Sequence, residues 1–266
     1  MLLSISTATF YDRPFQEALC IIKNAGFENI ELVIPWEGGD GWKMAQHLKE
    51  IVPRDAIKMI DDSGLRLASI HDASGVISDN SNSAIDKLIF KYIDNLSYPL
   101  DFLVVHPPHI KSDSGNEWWD SYKNSFSQDI NSLKQYCKHV CVENLPKWNN
   151  YYVALTEVKE LFEFSLENDV FINFDTTHYA QSKVDIFAAF NTLNKRIKSI
   201  HLSDYLGDKA HVFIGDGSLD LKNFIKNINN SGVQLLTLEC EIEVDNIIFP
   251  EKLIYAKEYV EDVLNI

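Results

Sequence analysis

Short apolar runs rich in β-branched residues alternate along the whole chain with longer stretches of helical period. The runs that read as strands are Leu2–Ser6, Ile30–Val33, Leu65–His71, Phe102–His106, Val140–Glu143, Val170–Asp175, Ile197–Leu202 and Leu235–Glu239. Their near-continuous hydrophobicity suits strands covered on both faces, as in a parallel sheet. Between them, Phe15–Ala25 carries Phe15, Ala18, Leu19 and Ile22 on one face and ends before Gly26, a glycine in the C-cap position. Pro53–Ser63 opens on proline and stops before Gly64, the usual asymmetry of helix ends. Ser83–Leu96, Glu117–Tyr136, Thr156–Glu167, Ile186–Leu193, Leu221–Ile228 and Pro250–Leu264 repeat the helical spacing. Eight strand-then-helix units without a linker predict one α/β domain over residues 1–266, a (β/α)8 TIM barrel. An open doubly wound sheet is the competing arrangement, but no glycine fingerprint follows the first strand. Glu37-Gly38-Gly39-Asp40-Gly41 interrupts the second unit; it reads either as a loop closing over a ligand or as a plain turn.

The polar residues that end these runs carry the functional signal. Ile70-His71, Val105-His106, Val142-Glu143, Phe174-Asp175, Ile200-His201 and Leu238-Glu239 each place a metal-ligand type at the C-terminal end of a strand. In a barrel that end is where active sites sit. Glu143, Asp175, His201 and Glu239 come from the fifth to eighth strands and are expected to surround a single ion. Buried glutamate is rare unless paired, so two at one barrel mouth argue against a packing role. Three carboxylates and one imidazole suit Mn2+, Mg2+, Co2+ or Zn2+. His71 and His106 border the same cup as substrate contacts or ligands of a second ion. His178 follows Asp175 by three, in a loop above the ion, and His211 lies in the loop after the seventh strand. His47 and His139 fall on segments read as outer, and His109 is ambiguous. Gly215-Asp216-Gly217-Ser218 could cradle a phosphate through backbone N–H groups, but no lysine follows, and a plain turn is favoured. No GxSxG motif or Ser-His-Asp order occurs.

Composition narrows the partners. Formal charge is −15, with 24 basic against 39 acidic residues. No Lys/Arg cluster supplies the footprint that nucleic acid requires. No apolar run approaches the ~20 residues of a membrane span, and the first residues lack the basic and apolar regions of a signal peptide, so cytoplasm is the expected location. Cys20, Cys137, Cys141 and Cys240 show no metal or redox spacing, and the three in apolar runs, Cys20, Cys141 and Cys240, are expected to be buried thiols. Trp118, Trp119 and Trp148 are candidates for core, pocket wall or a homo-oligomer interface.

Taken together, Gly26-Phe27-Glu28-Asn29-Ile30-Glu31-Leu32, Val142-Glu143-Asn144, Phe174-Asp175-Thr176-Thr177-His178, Ile200-His201-Leu202-Ser203-Asp204 and Leu238-Glu239 resemble the xylose-isomerase-like TIM-barrel superfamily over essentially the whole chain. That group holds sugar and sugar-phosphate isomerases and epimerases and endonuclease IV. The resemblance implies that Glu143, Asp175, His201 and Glu239 hold one divalent ion, that Glu143 and Glu239 also move protons, and that His178 binds substrate. His71 and His106 match additional ligands of the endonuclease IV branch, which acts on abasic DNA with three metals. One departure counts against that branch: Lys209-Ala210-His211 stands where it carries an Asp-x-His pair. A metal-dependent lyase or dehydratase of a cyclic polyol or keto acid would use the same proton abstraction. A ligand-binding barrel without catalysis is the remaining reading, and the complete quartet disfavours it.

Overall fold

The computed structural model describes residues 1–35, 43–75, 87–111, 118–229, 231–240 and 249–265. The glycine-rich segment Glu37–Gly41 lies outside the described residues, as does the start of the helix expected over Ser83–Leu96. The strands are β1 Leu2–Ser6, β2 Asn29–Val33, β3 Arg66–Asp72, β4 Leu100–Val105, β5 His109–Lys111, β6 Cys137–Glu143, β7 Tyr151–Val153, β8 Phe171–Asp175, β9 Ile197–Leu202, β10 Asp204–Leu206, β11 Lys209–Val212 and β12 Leu235–Leu238. The helices are α1 Phe15–Asn24, α2 Pro53–Ser63, α3 Leu88–Ile93, α4 Trp118–Leu133, α5 Val158–Glu167, α6 Thr176–Gln181, α7 Ile186–Leu193, α8 Leu221–Ile228 and α9 Phe249–Leu264. Eight strands close a barrel in the order β1-β12-β9-β8-β6-β4-β3-β2, and every neighbouring pair is parallel. The expected fold is therefore the observed one. No helix among the described residues is long and apolar enough to cross a membrane.

Helix faces predicted from spacing are the faces that bury. Ala18, Leu19 and Ile22 of α1, Ile57 and Ile60 of α2, and Phe126, Ile130 and Leu133 of α4 pack on the outside of the barrel. Phe174 of β8 meets Phe190 of α7 and Phe224 of α8 at ring separations of 5.7 and 5.6 Å. Each such fully buried phenylalanine contributes about 1.5–3 kcal/mol by burial alone. Helix α2 ends at Gly64 in the left-handed region, φ 70°, which a side chain would strain.

Inside the barrel the strands stack in layers, because alternate residues share a face. Ala68, Phe102, Val104, Cys141 and Leu235 plug the lower, N-terminal end, with Leu2 and Phe171 against them. Above the plug the registers Ser4↔Thr237, Glu31↔Ser69 and Asn173↔Ser199 make a polar middle layer. Above that lie the strand ends. The β2–β3 pairing steps from Ile30↔Leu67 to Glu31↔Ser69. The extra residue, Ala68, joins the plug, while Ser69 reaches Glu31 above it. Such irregularities re-aim side chains.

The scaffold departs from the sequence reading at His139 and at Cys20. His139 lies on β6, which begins at Cys137, and not on an outer segment. It packs against Phe102 and Phe171 at the lower end of the barrel, with its ring on Gln234. Cys20 is exposed and Cys137 half-buried, whereas Cys141 and Cys240 are buried. Cys20 sits on the solvent side of α1, where one apolar residue among several carries no core obligation.

Candidate active site

Six strand-end residues converge at the upper mouth. Glu143 closes β6, Asp175 closes β8, His201 lies one residue inside β9, and Glu239 follows β12. All four are at most 3% exposed. One ligand atom from each lies within 4.8 Å of the others, so the four can share one ion. His201 Nδ1 stands 2.9 Å from Glu239 Oε2 and 3.3 Å from Glu143 Oε1. His71 Nε2 approaches Glu143 Oε2 at 3.1 Å, and His106 Nε2 approaches the same oxygen at 3.4 Å. His71, His106 and Glu143 thus form a second cluster.

The backbone explains why these side chains are held. Asn144 donates to the Asp175 carbonyl at 3.0 Å and accepts from the Asp175 N–H at 2.8 Å, extending the β6–β8 ladder by a side-chain rung. Thr176 donates to the Ser203 carbonyl at 2.9 Å, joining the ends of β8 and β9. Asp175 is also the N-cap of α6: its Oδ1 accepts from His178 N–H at 2.7 Å and from Thr177 Oγ1 at 2.9 Å. That saturates one oxygen and leaves Oδ2 for the cup. His178 therefore sits on a short helix, not in a loop, because Asp175 caps the turn that carries it. His211 likewise belongs to a strand, β11, with φ 56°. Its Nε2 is 3.3 Å from His178 Nε2, and with Asp175 the two form a third cluster.

Glu31 is the buried member that strand ends do not reveal, since it lies in mid-strand. It is 0% exposed. Its Oε2 accepts from Ser69 Oγ at 2.8 Å, and its Oε1 lies 3.0 Å from His201 Nε2 and 3.7 Å from His71 Nδ1. The available signal was a carboxylate inside the apolar run Ile30–Ile34.

The electrostatics follow from crowding carboxylates around imidazoles. Burial opposes charge on His201, but Glu31, Glu239 and Glu143 raise it well above its ordinary value. Burial would likewise depress His71, yet Glu143 and Glu31 lift it. His178 is raised to about 9: burial is outweighed by Asp175 and Glu143. Burial would raise Glu143 and Glu239, but His201 and then His71 hold both below the usual carboxylate range. His106 stays depressed by burial, with Glu143 only partly offsetting it.

The donor set fits a divalent ion. Both Glu143 oxygens, Asp175 Oδ2 and His201 Nδ1 are buried without a hydrogen bond of acceptable geometry among the described residues. One ligand atom from each of Glu143, Asp175, His201 and Glu239 lies within 4.8 Å of the others, as for ligands of a common cation. Hard oxygens with one nitrogen suit Mn2+, Mg2+, Co2+ or Zn2+.

Above the cup opens a pocket of about 700 Å3. His71, His106, Glu143, His178, His211 and Glu239 form its floor, and Trp148, Tyr151 and His109 one wall. The wall stands on the antiparallel pair β5–β7. The His109 ring centroid is 5.0 Å from Trp148 and 5.7 Å from Tyr151, and burial lowers His109 to about 4. Trp118 and Trp119 instead pack with Tyr122, Phe126 and Phe164. The Gly215–Ser218 turn is no phosphate cradle. The Asp204 carboxylate already occupies its N–H groups, accepting from Gly215, Gly217 and Leu219 at 3.0–3.2 Å.

Comparison with known proteins accords with this architecture. No curated protein sequence matches the chain. Among solved structures, a D-tagatose 3-epimerase-like protein superposes with TM-score 0.72 at 18% identity, covering 100% of this chain and 97% of its own. An L-ribulose 3-epimerase gives 0.74 at 14%, covering 100% and 95%. A 3-keto-D-glucoside 4-epimerase from E. coli gives 0.69 at 16%, covering 97% and 99%. At these identities the likeness is one of fold. The family model described as xylose isomerase-like TIM barrel matches residues 20–260, and the chain belongs to that family.

Proposed function

We propose that this protein is a metal-dependent sugar isomerase or epimerase that moves a proton next to a carbonyl. The observation that carries the reading is the convergence of Glu143 and Glu239 on His201, from strands that flank β8 and β9, at the floor of an open pocket. A divalent ion held by Glu143, Asp175, His201 and Glu239 would polarise a ketose carbonyl and its neighbouring hydroxyl, acidifying the adjacent C–H. One glutamate removes that proton; the other, three strands away round the barrel, returns one. Delivery to the neighbouring, former carbonyl carbon, with a hydroxyl proton passing to the oxygen of the other carbon, gives isomerisation, and delivery to the same carbon on its other face gives epimerisation. His178 and His211 stand above the floor to bind hydroxyls, and His71 and His106 border it.

An uncharged sugar fits better than a sugar phosphate. No lysine or arginine lines the pocket among the described residues. A phosphate dianion placed there would meet Glu143 and Glu239 without a lysine or arginine to grip it, the His178 imidazolium being already engaged by Asp175 and Glu143. Trp148 and Tyr151 offer instead an apolar surface for the C–H face of a sugar ring.

The test is incubation with Mn2+ and a panel of free and phosphorylated ketoses in D2O. Deuterium entering an α-carbon of a free ketose is expected, and it should disappear in both Glu143→Gln and Glu239→Gln. Exchange confined to phosphorylated substrates would remove the neutral-sugar reading, and no exchange across the panel would remove the isomerase. Loss of water from a cyclic polyol or keto acid would instead mark a dehydratase. The clusters His71–His106–Glu143 and Asp175–His178–His211 favour a second reading, a phosphodiesterase with more than one ion. The exposed Lys209 on β11 and the acidic surroundings oppose it. Nicking of an abasic duplex, with two or more ions bound per chain, would support that reading over the first.

A further inference from the structure

We propose that Glu31 is a positioning residue: it holds the ring proton of His201 on its lower nitrogen and so presents the upper nitrogen to the metal. The inference rests on the metal-site reading and adds a residue to it. The His201 imidazole lies between two tiers of carboxylate. His201 faces Glu143 and Glu239 with Nδ1, at 3.3 and 2.9 Å, and faces Glu31 with Nε2, at 3.0 Å. His71 is placed less sharply: its Nε2 lies 3.1 Å from Glu143, while its Nδ1 lies 3.7 Å from Glu31 and 3.8 Å from Glu239. A neutral imidazole carries one proton and one lone pair. Whichever nitrogen binds an ion, the other must keep the proton, and a carboxylate behind it fixes that tautomer and makes the ligand more basic. Glu31 is the only described carboxylate facing His201 from below. It is held by Ser69, whose hydroxyl donates to Oε2 at 2.8 Å, leaving Oε1 for the two rings.

Glu31, His71, His201 and Glu239 could also be read as a separate ion site, because their ligand atoms lie within 4.8 Å of one another. Filling it together with the upper sites would require His201 to bind a cation through each nitrogen, as a bridging imidazolate. Keeping a proton on Nε2 needs no such deprotonation. Glu31 Oε1 and His201 Nε2 lie 3.0 Å apart without hydrogen-bond geometry among the described residues, so the chemistry of a single neutral imidazole, and not a formed hydrogen bond, assigns the lower cluster to a proton.

The experiment compares wild type, Glu31→Gln, Glu31→Leu and Ser69→Ala, each stripped with chelator, checked for folding by circular dichroism, and titrated with Mn2+ or Zn2+ by calorimetry. Loss of the outer partner is expected to weaken metal affinity by about 10–100-fold in Glu31→Leu. A smaller loss is expected in Glu31→Gln, whose amide oxygen still accepts from Nε2–H, and in Ser69→Ala. Histidine 15N NMR of the Zn2+-loaded wild type should show His201 protonated at Nε2. A folded Glu31→Leu that binds with wild-type affinity overturns the proposal. So does a Glu31→Leu that loses one ion from the stoichiometry and keeps the affinity of the rest. If no Glu31 variant folds, the NMR decides, and a His201 coordinated through Nε2 overturns the proposal. Failure of the wild type to bind any ion would instead defeat the metal site itself.

Discussion

With metal removed, the imidazolium of His201 is the charge that meets three of the cup's carboxylates at once, and its replacement should be more damaging than loss of a buried ring alone. His201 is completely buried, as are Glu31 and Glu143, and Glu239 is only 3% exposed. Each of its three carboxylate contacts lies at 2.9–3.3 Å. At an effective dielectric near 20, a pair at ~3 Å is worth about 5 kcal/mol before desolvation is charged against it. Most of that gross attraction offsets the cost of burying the ions. Removing that cation leaves much of the cost uncompensated even with His71 and His178 still beside Glu143, and breaking a buried pair in this way destabilises by about 3–5 kcal/mol.

His201→Gln, which conserves bulk and polarity but cannot take a proton, is therefore expected to lose about 3–5 kcal/mol in chelator. For a chain of this size each kcal/mol lowers the melting temperature by about 2–4 °C. Calorimetric melting at pH 7 with excess EDTA should thus show a fall of roughly 6–20 °C. The double variant His201→Gln/Glu31→Gln should recover part of the loss, because one of the stranded carboxylates has gone, and the two substitutions should be clearly non-additive. Manganese in excess should restore more stability to His201→Gln than to wild type, the ion replacing the missing charge. A chelated His201→Gln that melts with wild type would refute the reasoning, as would strict additivity in the double variant.

Other consequences are more local. A Cβ on Gly217 would collide with the Asp204 carboxylate and with Tyr205 N, so Gly217→Ala should cost about 1–3 kcal/mol in urea melts, whereas Gly232→Ala, with only the tip of Lys198 nearby, should change stability by less than about 0.5 kcal/mol. His47 stacks on Phe15 at 5.4 Å, and burial lowers its imidazole to about 4, with a Tyr11 backbone contact and Asp12 opposing. The unfolded chain then binds the extra proton first: stability is whole above pH ~6.5 and falls by about 3 kcal/mol on descending to pH ~4. His47→Gln should flatten that part of the urea pH profile. Trp148→Ala should raise KM for a free ketose about tenfold with little change in kcat, if the ring only supports the bound sugar; a fall in kcat alone would contradict a wall role.

How much of this was legible depends on the range over which each feature is determined. Eight barrel strands could be read because a strand covered on both faces must be apolar along its length, and the helices between them show their own period. The hairpins β5–β7 and β10–β11 were not read. The first pairs His109–Lys111 with Tyr151–Val153 across some forty residues, a tertiary event with no local pattern. Helix α6 is six residues long, too short for a periodic signal, and its N-cap Asp175 had already been read as a ligand. The strand containing His139 starts three residues before its apolar run, so polarity hid a residue that packs inside the barrel.

The site divides in the same way. Glu143, Asp175, His201 and Glu239 stand where an apolar run stops, and the end of a barrel strand is a place that sequence can mark. Glu31 stands two residues before its strand ends, so the same criterion passes over it; the better criterion is charge inside an apolar run, since burial without partners is too costly. Sequence names residues but not their atoms, and here the atoms set the chemistry. Glu143 gives Oε1 to the side of His201 and Oε2 to the side of His71 and His106. Asp175 spends Oδ1 on a helix cap and keeps Oδ2 for the cup. A carboxylate can serve two cations through two oxygens without losing a proton, whereas an imidazole serving two must be deprotonated outright. The clusters that share Glu143 can therefore fill together, and the cluster that shares His201 with Glu31 is the one best kept for a proton.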